Sequence, residues 1–158
     1  MPEGLPIEDS ITIRAPRADV FRALTDATAL GCWMATRAES DPRPGGRFRY
    51  VFEFDDPAQN NVQEGRYVAV ERPQRLVLPW TFPFSDQETT VEYTLSGDAD
   101  ETELAFRHSG FGTGEPWDGA RERFAGGWRL FLQSLKAHVE DGADARPLGI
   151  KPAAAADT

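Results

Sequence analysis

In the stretch EPWDGARERFAGGWRLFLQSLKAHVE, residues 115–140, the side chains Trp117, Ala120, Phe124, Trp128, Phe131, Leu135 and His138 recur three and four residues apart. At about 100° per residue they share one stripe of a helix, while Glu122, Arg129, Gln133 and Glu140 fall on the other side. Pro116 suits the first helical turn, where a missing N–H costs nothing, and Gly142 suits the position just past the end. No other segment keeps a helical period long enough to cover a whole sheet, so the rest of the chain is expected to supply that sheet. Gly126 and Gly127 interrupt the pattern, since each costs about 1 kcal/mol relative to Ala in a helix interior. Projection puts Gly127 beside the aromatic stripe, which leaves two readings: close packing on a strand, or room beside Trp128 for a ligand.

Upstream of the helix the period changes to two. After the turn Pro42-Arg43-Pro44-Gly45-Gly46, the residues Phe48, Tyr50, Phe52 and Phe54 alternate with Arg47, Arg49, Val51 and Glu53, so one strand face carries four aromatic rings. Asp55 to Asn61 reads as a polar loop and Glu64 to Glu71 as the returning strand of a hairpin. Leu76, Leu78 and Trp80 alternate along the next strand, in which Pro79 must face solvent or a bulge and Pro83 ends the pairing. Val91, Tyr93 and Leu95 form one further face, and Thr102, Leu104, Phe106 and His108 another, joined by the turn Gly97-Asp98-Ala99-Asp100. Nearer the start, Ile7, Ile11 and Ile13 mark a first strand. Two short helices follow, one opened by Pro16 and carrying Val20, Phe21 and Leu24, the other capped by Thr25-Asp26 and carrying Leu30, Trp33 and Met34. Residues 1–6 read as an N-terminal arm and 7–142 as one domain. Residues 143–158, rich in Ala, Pro and Asp, read as a disordered tail.

Composition narrows the partners. The 158 residues carry a formal net charge of −9, which disfavours nucleic acid and an anionic membrane surface, since both require a basic patch. Cys32 is alone, so no disulfide can form within the chain, and no segment approaches the roughly 20 apolar residues of a membrane span. The expected location is cytoplasmic.

A strand, two short helices, about six strands in hairpin succession and a long C-terminal helix describe an α+β helix-grip arrangement. In it, a curved antiparallel sheet of about 6–7 strands holds the helix and can leave a cavity between them. The residues resemble the START-like superfamily, and within it the family homologous to the C-terminal domain of the activator of the 90-kDa heat-shock protein ATPase. The motifs are Ala15-Pro16 with Val20-Phe21, Ala23-Leu24-Thr25-Asp26, Trp33, and Gly45-Gly46-Arg47-Phe48. They continue through Gly65, Glu71-Arg72-Pro73, Arg75-Leu76-Val77, Trp80, Thr89, Thr102, His108 and Gly110-Phe111 to Gly127-Trp128 with Leu132 and Leu135. The resemblance covers roughly residues 7–141. It implies a ligand-sized cavity in many members and no shared chemistry. The co-chaperone resembled here carries an additional N-terminal domain for which this chain has no room, so ATPase activation is only weakly implied.

No stretch has the spacing of a phosphate-binding loop or dinucleotide fingerprint, and one Cys with two His shows no zinc-ligand spacing. No cofactor, metal or catalytic constellation is expected. His108 reads either as a hydrogen-bonded residue at the end of an apolar strand face or as a pocket donor to a ligand. The leading expectation is a cavity between sheet and helix for an apolar or aromatic small molecule. Its walls would be Trp33, Tyr50, Phe52, Trp80, Tyr93, Phe106, His108, Phe124 and Trp128. Two alternatives stand beside it: a polyketide cyclase-like enzyme using Tyr50, Tyr93 and His108, and an interaction module that contacts a chaperone or forms a homodimer.

Overall fold

Among the described residues every strand pair is antiparallel, and the strands Ser85–Gly97 and Thr102–Ser109 alternate buried and solvated side chains as a sheet covered on one face requires. A computed structural model describes residues 4–153. Within them the order is β1 (Ile7–Ile13), α1 (Arg17–Thr25), α2 (Ala27–Trp33), β2 (Arg37–Ser40), β3 (Arg47–Phe52), β4 (Asn61–Arg66), β5 (Ala69–Glu71), β6 (Arg75–Phe82), β7 (Ser85–Gly97), β8 (Thr102–Ser109) and α3 (Trp117–Asp141). This is the α+β helix-grip expected from the pattern. Along α3, Ala120, Gly127, Trp128, Phe131, Leu132 and Leu135 are buried. They meet Val91, Tyr93 and Leu95 of β7 and Leu104, Phe106 and His108 of β8 in one core.

The strands number eight among the described residues, rather than six or seven. They are hydrogen-bonded in two sections, β1-β8-β7-β6-β5 and β2-β3-β4. What reads as a single strand from Glu64 to Glu71 is broken at Tyr67 and Val68 into β4, which pairs with β3, and β5, which pairs with β6. Pro79 explains why β4 does not continue the ladder onto β6. Along the edge of β6 away from β7, Val77 accepts from the Val68 N–H at 2.8 Å, and the period of two brings Pro79 and Thr81 to the same edge. Pro79 has no N–H to give there. The buried side-chain amide of Gln63 spans the gap, donating to the Thr81 carbonyl at 2.8 Å and accepting the Thr81 N–H at 3.0 Å.

Helix ends follow ordinary capping chemistry. Asp26 caps α2 by accepting the Ala29 N–H at 3.0 Å. Gly142 ends α3 at φ 70°, a left-handed conformation in which its N–H reaches the His138 carbonyl. The start of α3 differs slightly from expectation, since Pro116 is the cap and the first helical residue is Trp117.

The terminal segments need a larger correction. Of the N-terminal arm, Gly4 donates to the Phe111 carbonyl at 2.8 Å, and Arg121 binds the carbonyls of Leu5 and Pro6. Of the expected disordered tail 143–158, the described part, residues 143–153, packs back on the domain. Ser134 donates to the Ala145 carbonyl, Arg146 to the carbonyls of Gly31 and Cys32, and the Lys151 N–H to the Glu53 carbonyl at 2.8 Å. Ile150 is buried. Such a segment needs no periodicity, because single hydrogen bonds at intervals and one apolar side chain hold it. Residues 1–3 and 154–158, the remainder of those two segments, lie outside the described residues.

Candidate ligand cleft

The nine aromatic and histidine side chains expected to wall a cavity divide into two groups. Trp33, Tyr50, Tyr93, Phe106 and His108 belong to a filled interior. Trp33 joins the short helices to one another, its indole N–H donating to the Ala23 carbonyl at 2.8 Å. The Tyr50 hydroxyl lies 3.2 Å from that of Tyr67, which lies 2.7 Å from Ser40 Oγ. Burial raises the Tyr50 and Tyr93 hydroxyl pKa values well above the ordinary range, so both phenols stay neutral. Tyr93 and Phe106 meet edge to face at 5.4 Å, and Phe106 lies 4.6 Å from Trp128 between ring centroids.

His108 is the centre of a hydrogen-bond chain whose direction can be assigned. The Thr89 hydroxyl has the Trp80 carbonyl at 2.8 Å as its acceptor, so at 2.7 Å from His108 Nε2 it must itself accept. Nε2 therefore carries the proton. Nδ1 is left as the acceptor for the Trp128 indole N–H at 3.0 Å. The ring stacks on Phe82 at 6.0 Å and contacts Phe111, and burial lowers its pKa from 6.5 to about 3. A neutral imidazole with both nitrogens committed ties helix α3 to β6, β7 and β8. It has no lone pair or proton free for a ligand. The three side chains considered for cyclase-like chemistry are thus all buried in the core, Tyr50 and His108 with their polar atoms hydrogen-bonded.

The other four, Phe52, Trp80, Phe124 and Trp128, line an open cleft of about 450 Å³ between α3 and strands β3 and β6. Its walls are completed by Phe54, Gly127 and Phe131, its rim by Gln59, Asn61 and Arg123, and one side by Leu148 and Ile150 of the C-terminal segment. Trp80 and Trp128 meet edge to face at 5.0 Å, and Phe52 lies 6.2 Å from Trp80. The Trp80 indole N–H is buried and has no hydrogen-bond partner among the described residues. A Cβ added at Gly127 would meet only Leu148 Cδ1, at 3.6 Å. The glycine is therefore not needed for contact with a strand, and the space beside Trp128 belongs to the cleft.

Phe131 and Gly127 were visible in the helical stripe, but the rim was not. Gln59 and Asn61 lie in what reads as an undistinguished polar loop, Arg123 on the flank of the helical projection between the apolar stripe and the polar side, and Leu148 and Ile150 in an aperiodic tail. A second depression of about 330 Å³, on the outer face of β3 and β4, is bordered by Glu39, Arg47, Arg49, Glu64 and Arg66. There Arg49 reaches Glu64 at 3.4 Å and Glu39 at 3.9 Å, which makes it a field of solvated ion pairs. Among the described residues no group of three or more His, Cys, Asp or Glu side chains is placed to hold a metal, and no helix is long and apolar enough to cross a membrane.

Residues 14–140 match the model of the family described as Activator of Hsp90 ATPase homolog 1-like protein. The chain belongs to this family. Solved structures similar to this AHSA1-family chain show the same fold. A protein from Chromobacterium violaceum has a TM-score of 0.74 at 24% identity, over 87% of this chain and 99% of that one. CalU16 from Micromonospora echinospora has a TM-score of 0.68 at 26% identity, over 90% and 77%. The Aha1 dimer from Colwellia psychrerythraea has a TM-score of 0.68 at 19% identity, over 88% and 98%. No curated protein matches the chain. Within the AHSA1 family architecture, the helix-grip leaves a cavity suited to a small molecule.

Proposed function

We propose that the protein binds an apolar or aromatic small molecule in the cleft between α3 and strands β3 and β6. The observation that carries this reading is the pairing of a volume of about 450 Å³ with a mainly apolar lining in which six side chains are aromatic. Ligand pockets run from roughly 300 to 1,000 Å³ and are lined mainly by apolar and aromatic side chains with a few oriented polar groups. The core of Tyr93, Phe106 and His108 serves as the rigid floor rather than as part of the binding surface.

The test uses N-phenyl-1-naphthylamine, a neutral aromatic probe whose emission rises in apolar surroundings. The natively folded protein is expected to bind one probe per chain. Gly127→Leu, which puts a branched side chain into the cleft while improving helix propensity by roughly 1 kcal/mol, is expected to abolish binding with no loss of urea stability. Absence of probe binding by the wild type, or equal binding by Gly127→Leu, would refute the proposal.

A further inference from the structure

Resting on that reading of the cleft, we infer that the ligand is an anionic amphiphile: an apolar or aromatic body whose carboxylate or sulfonate-like group is held at the rim by Arg123. The chain has 26 acidic against 17 basic Lys and Arg residues, yet among the described residues no Asp or Glu lines the cleft, and the sole charged side chain lining it is Arg123. Its helical neighbours are committed to the fold. Arg121 binds the carbonyls of Leu5 and Pro6, and Arg129 binds Asp9 and the Ser10 carbonyl. Arg123 makes no hydrogen bond or ion pair within 4.0 Å among the described residues.

The side-chain amides of Gln59 and Asn61 stand on the same rim and add neutral donors. Aromatic walls alone would suit a cation as well as a neutral ring, since ring faces attract positive charge. The Arg123 guanidinium lines the cleft while the nearby Glu115 carboxylate, which approaches it over Gly119, lies outside the lining, and this decides against the cation. The negative charge of the whole chain does not reverse this, because it is screened beyond about 8 Å at physiological ionic strength. Arginine is also the more weakly hydrated cation and can meet a carboxylate or sulfonate with two parallel N–H donors.

Two dyes of one skeleton separate this inference from the proposal beneath it: N-phenyl-1-naphthylamine and its sulfonated form, 1-anilinonaphthalene-8-sulfonate. The sulfonate is expected to displace the neutral dye from the wild type. Arg123→Gln is expected to weaken the sulfonate about fivefold relative to the neutral dye, the scale of a partly exposed charge pair. Arg123→Glu should widen the difference between the two dyes further. Failure of the sulfonate to compete, or parallel changes for the two dyes in both variants, would overturn the anionic class while the neutral dye's binding kept the cleft. Binding of neither dye would overturn both.

Discussion

A buried neutral histidine makes the protein's stability depend on pH in a calculable way. His108 is held at a pKa of about 3, against 6.5 when exposed, because its ring is buried among Trp80, Phe82, Phe111, Phe124 and Trp128. The folded pKa lies below the unfolded one, so the unfolded chain takes up a proton first as pH falls. His108 therefore costs the fold nothing above pH 6.5 and a growing amount between 6.5 and 3. Integrating the linkage from pH 7 to pH 4 gives a loss of about 3 kcal/mol, with a slope near 1.4 kcal/mol per pH unit in the middle of the range. His108→Gln removes the titration and keeps a donor for Thr89. It leaves the Trp128 N–H without its present acceptor, so at pH 7 it should cost about 1–3 kcal/mol. Urea unfolding followed by tryptophan fluorescence at several pH values, on both proteins, isolates the effect, because the carboxylates titrate in each. The wild type should lose about 3 kcal/mol more than the variant on going to pH 4. Parallel stability curves would show that folding leaves the His108 pKa unshifted, so that Nδ1 takes up a proton in the fold as readily as in the unfolded chain, against a buried ring held neutral.

Gln63→Ala should leave the Thr81 N–H and carbonyl unpaired where the two sheet sections meet. A loss of about 2–4 kcal/mol is expected, with faster hydrogen exchange at Thr81; unchanged exchange there would count against the amide bridge. Gly126→Ala should stabilise the protein by about 0.5–1 kcal/mol in urea unfolding, since a Cβ there meets nothing within 4 Å and the helix gains propensity; a loss of stability would show hidden crowding.

The fold was legible wherever one face of an element is buried and the other solvated. Val91, Tyr93 and Leu95, then Leu104, Phe106 and His108, alternate in the sequence and are all buried, and the stripe of α3 follows the same logic. Asp26 was legible as a cap because capping is local. The split of the sheet was not, although both its causes are in the sequence. Pro79 announces a missing donor, but that a glutamine 16 positions earlier supplies the bond is a fact of three-dimensional proximity.

The cleft was half legible for a related reason. Periodicity distinguishes inward from outward, and it put Phe52, Trp80, Phe124 and Trp128 inward together with Trp33, Tyr50, Tyr93, Phe106 and His108. Whether an inward side chain meets another side chain or open space depends on how the layers diverge. In this protein they stay closed over Phe106 and open toward Phe52 and Phe124. The rim could not be read at all, because Arg123 and Gln59 look like any solvated residue until the cleft beside them is known.

The most direct measurement is of the four indole N–H signals in a proton–nitrogen correlation spectrum, assigned by single Trp→Phe variants and titrated with N-phenyl-1-naphthylamine. Trp80 and Trp128 line the cleft, whereas Trp33 is bonded to the Ala23 carbonyl and Trp117 packs among Phe82, Phe84 and Phe111. At saturation the Trp80 signal should move most and that of Trp128 next, with Trp33 and Trp117 nearly still. An unmoved Trp80 signal at saturating probe, with Trp33 or Trp117 shifted instead, would contradict the cleft as the binding site.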